Sequence, residues 1–222
     1  MKRLSIDHNF NGAAAASSTR KTDQFLPSMI VFDLDDCLWH PEMHELTGMP
    51  EIPIQGELDP TSVGEHGVVG LQVPRRRTTV RLYEGARLVL RELALDPRYR
   101  GIILACASTS LEPSYSQACL EGIEVLPGLF LRDMFQYNRI GRTGELTSRK
   151  TGHFGLLHQD SGVSFREMLF FDDCNWGDHC ADVTNTLGVV SVQTPSGLRL
   201  SQFHDGLQKY HVQVEKRIKS LE

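Results

Sequence analysis

The sequence predicts an α/β domain built on a mainly parallel sheet, and three observations carry that prediction. Four short apolar runs, MIVFD (29–33), GIILACA (101–107), EMLFFD (167–172) and GVVSVQ (188–193), are rich in β-branched or aromatic residues and lead into polar ones. That is the pattern of strands buried on both faces. Helical patterns separate them, and alternation of the two element types is the mark of a parallel sheet with crossover helices. The chain has 222 residues, enough for one sizeable core.

Taken in order, residues 1–26 read as a mobile tail, polar and alanine-rich with no apolar signal-peptide core. Residues 27–222 read as a single domain. The first strand, 29–33, runs directly into Asp33, Asp35 and Asp36. Residues 40–80 are rich in Gly and Pro with no sustained helical period, and read as an extended loop or small hairpin flap inserted in the domain. YEGARLVLRELAL (83–95) places Ala86, Val89, Leu90 and Leu93 on one helical face. The second strand follows, then a weaker helix over SYSQACLEGI (114–123), the third strand and the fourth. Leu200, Phe203, Leu207, Tyr210 and Val214 recur every three or four residues and predict a C-terminal helix. No internal repeat is visible.

Composition narrows the function classes. Hydrophobic residues make up 40% and charged residues 23%, with a formal net charge of -5, so no overall field draws the protein to nucleic acid or an anionic membrane. The basic run PRRRTTVR (74–81) reads as a solvated loop. Five scattered cysteines give no disulfide framework and favour a reducing, cytoplasmic setting. Cys174, His179 and Cys180 lack the second ligand pair of a structural zinc site. No apolar run reaches the ~18 residues that span a bilayer.

Ligands of an open parallel sheet bind at the carboxyl ends of the strands. There the first strand offers Asp33 and Asp35, the second Ser108, Thr109 and Ser110, and the third Asp172 and Asp173. Several carboxylates at one sheet edge repel one another, and one or more is driven to protonate unless a cation intervenes. Mg²⁺, which takes oxygen ligands together with a substrate phosphate, removes the conflict. Asp33 and Asp35, two apart in an extended segment, point the same way. One carboxylate can attack phosphorus and the other can protonate the leaving oxygen and later activate water, so Asp33 is the expected nucleophile and Asp35 the acid/base. Ser108 can donate to the phosphoryl oxygens, with the backbone of Thr109 and Ser110 beside it. Lys150, at the start of a predicted helix, can add positive charge, with Arg149 as the competing choice.

These residues resemble the four ordered motifs of the haloacid dehalogenase superfamily of phosphatases: DLDDC at Asp33, LACAS at Ser108, SRKTGHF at Lys150, and LFFDD at Asp172 and Asp173. The chain is most similar to the magnesium-dependent phosphatase-1 family, over roughly residues 29–207, with 40–80 matching poorly. The resemblance implies a Rossmann-like three-layer sandwich without a large cap domain. It implies Asp33 as nucleophile and metal ligand, and Asp35 as acid/base offering its backbone carbonyl to the metal. Asp173 and then Asp172 are the further ligands it implies, with Ser108, Thr109 and Lys150 at the phosphoryl group. An open site of this kind admits a phosphoprotein or protein-bound sugar phosphate. Cys37 stands where the first motif has Thr, Asp36 where Tyr is frequent, and Thr109 where close relatives often have Arg. Asp178 and Asp182, beyond the fourth motif, are open as supports of the metal. The expected activity is Mg²⁺-dependent phosphomonoester hydrolysis through an aspartyl-phosphate. A phosphotransferase or mutase, and a catalytically silent binding module, are the alternatives.

Overall fold

The computed structural model describes residues 25–61 and 63–220, so the tail expected at 1–26 lies outside the described residues except for Phe25 and Leu26. Those two are held: the Phe25 ring stacks on His211 at 5.5 Å and its backbone N–H donates to His211 Nδ1 at 3.0 Å, while Leu26 packs against the core.

In chain order the elements are β1 (Met29–Phe32), β2 (Trp39–His40), β3 (Ile52–Glu57), β4 (His66–Gln72), β5 (Thr79–Leu82) and α1 (Glu84–Leu95). There follow β6 (Ile103–Ser108), α2 (Pro113–Gly122), β7 (Glu124–Leu126), β8 (Leu129–Phe130), α3 (Leu131–Met134) and β9 (Tyr137–Ile140). The chain continues through α4 (Lys150–Ser161), β10 (Met168–Asp172), α5 (His179–Leu187), β11 (Val190–Gln193) and α6 (Leu200–Lys219).

The central sheet has the order β11-β10-β1-β6-β9, and every pairing in it is parallel. Its four apolar strands are those legible in the sequence. The fifth, β9, is YNRI, a half-buried edge strand whose Asn138 and Arg139 break the apolar pattern. Both faces of the sheet are covered. One core joins Ile30, Phe32, Leu104 and Phe171 to α1 and α6; the other joins Met29, Val31, Ala105 and Phe170 to Phe154 and Leu157 of α4 and Val183 of α5. The α1 face predicted from spacing, Ala86, Val89, Leu90 and Leu93, is buried. Helices α4 and α5 each stop at a glycine, Gly162 (φ 72°) and Gly188 (φ 78°), in the left-handed conformation that suits a residue without a Cβ.

Residues 40–80 carry most of a second sheet, four-stranded and antiparallel, in the order β2-β5-β4-β3. Period-two burial along β4 (HGVVGLQ) is masked in the sequence by two glycines. The sheet is anchored by arginines of α1. Arg87, buried, donates to the carbonyls of Glu124 and Val69, and Arg91 pairs with Asp59 at 3.0 Å and Glu65 at 2.7 Å. Desolvation, with Arg91 nearby, lowers the Arg87 pKa to about 10. No helix among the described residues is long and apolar enough to cross a membrane.

Candidate active site

Strand β1 is the middle strand, and from it the chain builds outward to β6 and β9 on one side and to β10 and β11 on the other. The crevice at its carboxyl end is therefore a topological switch point, where crossovers diverge and leave room for a ligand. A cavity of about 200 Å³ opens there, lined by Asp33, Asp35, Ser108, Thr109 and Asp173 among others.

Asp33 follows β1, with its N–H bonded to the carbonyl of Phe171 at 2.9 Å. Carboxylate oxygens of Asp33, Asp172 and Asp173 all lie within 4.8 Å of one another. Burial, then repulsion from Asp172 and Asp173, pushes the Asp33 carboxyl well above the usual range, against the opposing pull of Lys150. Burial likewise raises Asp173. Three hard oxygen donors at this separation, two of them unwilling to ionise, fit a divalent cation of the Mg²⁺ type.

Lys150, the first residue of α4, is 1% exposed. Its Nζ lies 2.7 Å from Asp33 Oδ1 and 2.5 Å from Asp172 Oδ2. Burial alone would lower the lysine pKa, but the two carboxylates outweigh it and hold it above the ordinary value. Lys150 does not line the cavity; it reaches Asp33 from the protein interior. Arg149, its rival in the sequence, is exposed and pairs with Asp182 at 2.8 Å.

The two acidic residues of β10's end divide their work. Asp172, fully buried, accepts from Lys150 through Oδ2 and from the Cys174 N–H through Oδ1 at 2.8 Å. Asp173 faces the cavity, with Oδ2 accepting from the Asn175 N–H at 2.9 Å. Asp173 is thus the better placed of the two to meet a metal beside a substrate. Asp178 caps α5 by accepting from the Ala181 N–H, and neither it nor Asp182 joins the carboxylate group. Nor do Cys174, His179 and Cys180 form a ligand cluster among the described residues.

Asp35 lines the cavity, held by Trp39 Nε1 at 2.8 Å on Oδ1 and the Met43 N–H at 3.3 Å on Oδ2. Burial raises its pKa, partly offset by those donors, so the proton needed by an acid is favoured. Asp36 does not line the cavity. At φ 53° it turns away and accepts from Tyr83 Oη at 3.2 Å and Asn175 Nδ2 at 3.1 Å. Cys37 is buried, its Sγ 3.6 Å from the Phe171 carbonyl and 3.4 Å from the Thr194 hydroxyl.

Ser108 ends β6 facing the cavity. Its Oγ accepts from the Ser110 N–H at 3.3 Å, leaving its own proton for an acceptor in the cavity. The Ser110 N–H is thereby used within the protein. Thr109 also lines the cavity, and its carbonyl accepts from Arg142 Nε at 2.8 Å. His153 Nε2 lies 3.2 Å from the Ser108 carbonyl and 3.0 Å from that of Gly141. Two acceptors fix the proton on Nε2, so the ring ties the ends of β6 and β9 together.

Glu42, His44, Arg142 and Trp176 also line the cavity, and reading the motifs alone does not find them. Trp176 Nε1 donates to both oxygens of Glu42 at 3.0 and 2.9 Å, and His44 meets the Trp176 ring edge-on at 5.7 Å. The three arch over one side of the mouth from segments 134 positions apart. Only contact across the fold unites them.

The acid phosphatase family model matches residues 25–213 of the chain. Magnesium-dependent phosphatase 1 of Homo sapiens is 30% identical over 185 residues, covering 83% of this chain and 88% of the relative. An HAD-like hydrolase superfamily protein of Schizosaccharomyces pombe is 27% identical over 147 residues, covering 66% and 76%. The fold is shared with an HAD family enzyme of Bacteroides thetaiotaomicron, solved in complex with magnesium and inorganic phosphate. That likeness has a TM-score of 0.51 and 13% identity, over 79% of this chain and 98% of the other.

Proposed function

Since the chain belongs to the acid phosphatase family, we propose that it is a magnesium-dependent phosphatase that hydrolyses a phosphomonoester, of a protein or a sugar, through an aspartyl-phosphate at Asp33. The observation that carries this reading is the placement of Asp33: lining the cavity, within 4.8 Å of Asp172 and Asp173, and in contact with a buried lysine.

Asp33 and Asp173 would hold magnesium at the cavity, with Asp172 behind them. When bound, the ion offsets the negative charge of the carboxylates and of the phosphoryl oxygens. Lys150 favours the ionised form of Asp33 against burial and holds one of its oxygens, leaving the other to attack phosphorus. The bond from phosphorus to the ester oxygen breaks as the aspartyl bond forms, and Asp35 supplies the proton to the leaving oxygen. In the second half, Asp35 takes a proton from water, which displaces Asp33 from phosphorus and releases phosphate. Ser108 donates its hydroxyl proton to a phosphoryl oxygen throughout.

Asp33→Asn, assayed with 4-nitrophenyl phosphate and magnesium, is expected to lose activity by at least about 10³-fold while its thermal melt stays cooperative. Acid-quenched wild-type enzyme should carry phosphate on the peptide containing Asp33. Full activity in the variant would remove Asp33 from the role.

A further inference from the structure

We propose that Arg142 reads a second negative charge on the substrate, so that the site selects phosphomonoesters whose leaving group carries a carboxylate or other anionic group. This rests on the phosphatase reading and narrows it.

The walls of the cavity are unequal in charge. Asp33, Asp35, Asp173 and Glu42 supply carboxylates, whereas among the described residues Arg142 is the one guanidinium lining it. Arg142 is exposed, yet it is not a free side chain. Its backbone follows Gly141, whose N–H donates to the Ser108 carbonyl at 2.8 Å and whose own carbonyl meets His153 Nε2. Gly141 takes φ 101° there, a conformation that excludes most side chains. The guanidinium is then fixed by Nε on the Thr109 carbonyl. Arg142 is thus secured at both ends to the segment that carries Ser108 and Thr109.

A guanidinium has five N–H donors, and the structure engages the one on Nε. Among the described residues no carboxylate pairs with Arg142, whereas Arg91, Arg98 and Arg149 each face an aspartate. The two Nη groups keep the planar fork that matches a carboxylate or phosphate in bidentate fashion. A cation held in place by a carbonyl, with no carboxylate partner among the described residues, on the rim of a phosphoryl site, is arranged to receive an anion.

The test compares matched pairs: propyl phosphate with 2-carboxyethyl phosphate, and phenyl phosphate with 4-carboxyphenyl phosphate. Wild-type enzyme with magnesium is expected to favour the carboxylated member of at least one pair by about tenfold in kcat/KM, the scale of one charged hydrogen bond, and chiefly through KM. In Arg142→Ala the ratio within that pair should fall to near one, and Arg142→Lys should restore part of it. If Arg142 only braces Thr109, both members of the pair slow together and the ratio survives, which overturns the proposal. Equal kcat/KM within both pairs for the wild type overturns it too, and leaves the phosphatase reading standing. A wild type that turns over none of the four esters or 4-nitrophenyl phosphate overturns both.

Discussion

Replacing Lys150 with methionine should separate the electrostatic support of the site from its shape. The side chain is 1% exposed and touches two carboxylates, Asp33 at 2.7 Å and Asp172 at 2.5 Å. Methionine fills similar space without the charge, so the variant leaves two buried carboxylates facing each other with no cation. Removing one partner of a buried ion pair costs about 3–5 kcal/mol, most of it the penalty of the stranded charge. At roughly 2–4 °C per kcal/mol for a domain of this size, the melt should fall by about 6–20 °C near neutral pH. The sign of the pH dependence follows from linkage. Lys150 has its folded pKa raised, so its contribution is fully present below the unfolded lysine pKa and fades only as pH rises through the folded value. The wild type therefore carries all of it near neutrality. In the variant, Asp33 loses the attraction that opposed its raised pKa and takes up a proton more readily, so the deficit shrinks as pH falls towards about 5. Magnesium stabilises both folded proteins, and it should narrow the deficit because it meets more uncompensated carboxylate charge in the variant. The assay is thermal and urea unfolding at both pH values, with and without the ion. A variant that melts with the wild type near pH 7, or whose deficit is unchanged at lower pH, refutes the reasoning.

Two further substitutions test the scaffold. Burial lowers the His153 pKa against the pull of its carbonyl partners, so its neutral form contributes stability above the unfolded value of about 6.5, and that contribution is lost as pH falls through the folded pKa. His153→Leu strands the carbonyl of Gly141 and leaves that of Ser108 with the Gly141 N–H; it should cost about 1–3 kcal/mol near pH 7 and should flatten this acid limb in urea titrations, and an unchanged limb assigns the limb to other groups. Gly85→Ala would drive a Cβ against the Leu198 carbonyl and to 2.7 Å from the Arg199 Cα, both backbone atoms. Chemical denaturation should show a loss of about 1–3 kcal/mol from this overpacking, whereas a neutral result would mean that the turn before α6 yields freely.

Strands that bury both faces declare themselves by unbroken apolar runs, so β1, β6, β10 and β11 were legible, and with them the sheet edge where Asp33, Ser108 and Asp173 meet. Edge strand β9 was not, because half-burial tolerates Asn138 and Arg139. The second sheet was hidden by its own composition: Pro53 and Gly56 sit in β3, which needs neither a full ladder nor a buried face. At the site, the identity of Lys150 over Arg149 depends on which side of α4's first turn points inward, a fact of packing. Local spacing does not bring Arg142, Glu42 or Trp176 to the cavity; only closure of the sheet does. The apparent excess of charge at Asp36 likewise dissolves once its left-handed backbone turns the carboxylate towards Tyr83 and Asn175.

The two tryptophans of the chain both end on a carboxylate of the cavity: Trp39, fully buried, on Asp35, and Trp176, 70% exposed, on Glu42. Their indoles sit in opposite solvents, so the inner one should emit blue and the outer one red. A ligand that changes the charge between them should perturb both at once, in distinguishable bands. The protein thus carries its own optical reporter of occupancy, with one channel beside Asp35 and another beside Glu42, and needs no attached dye.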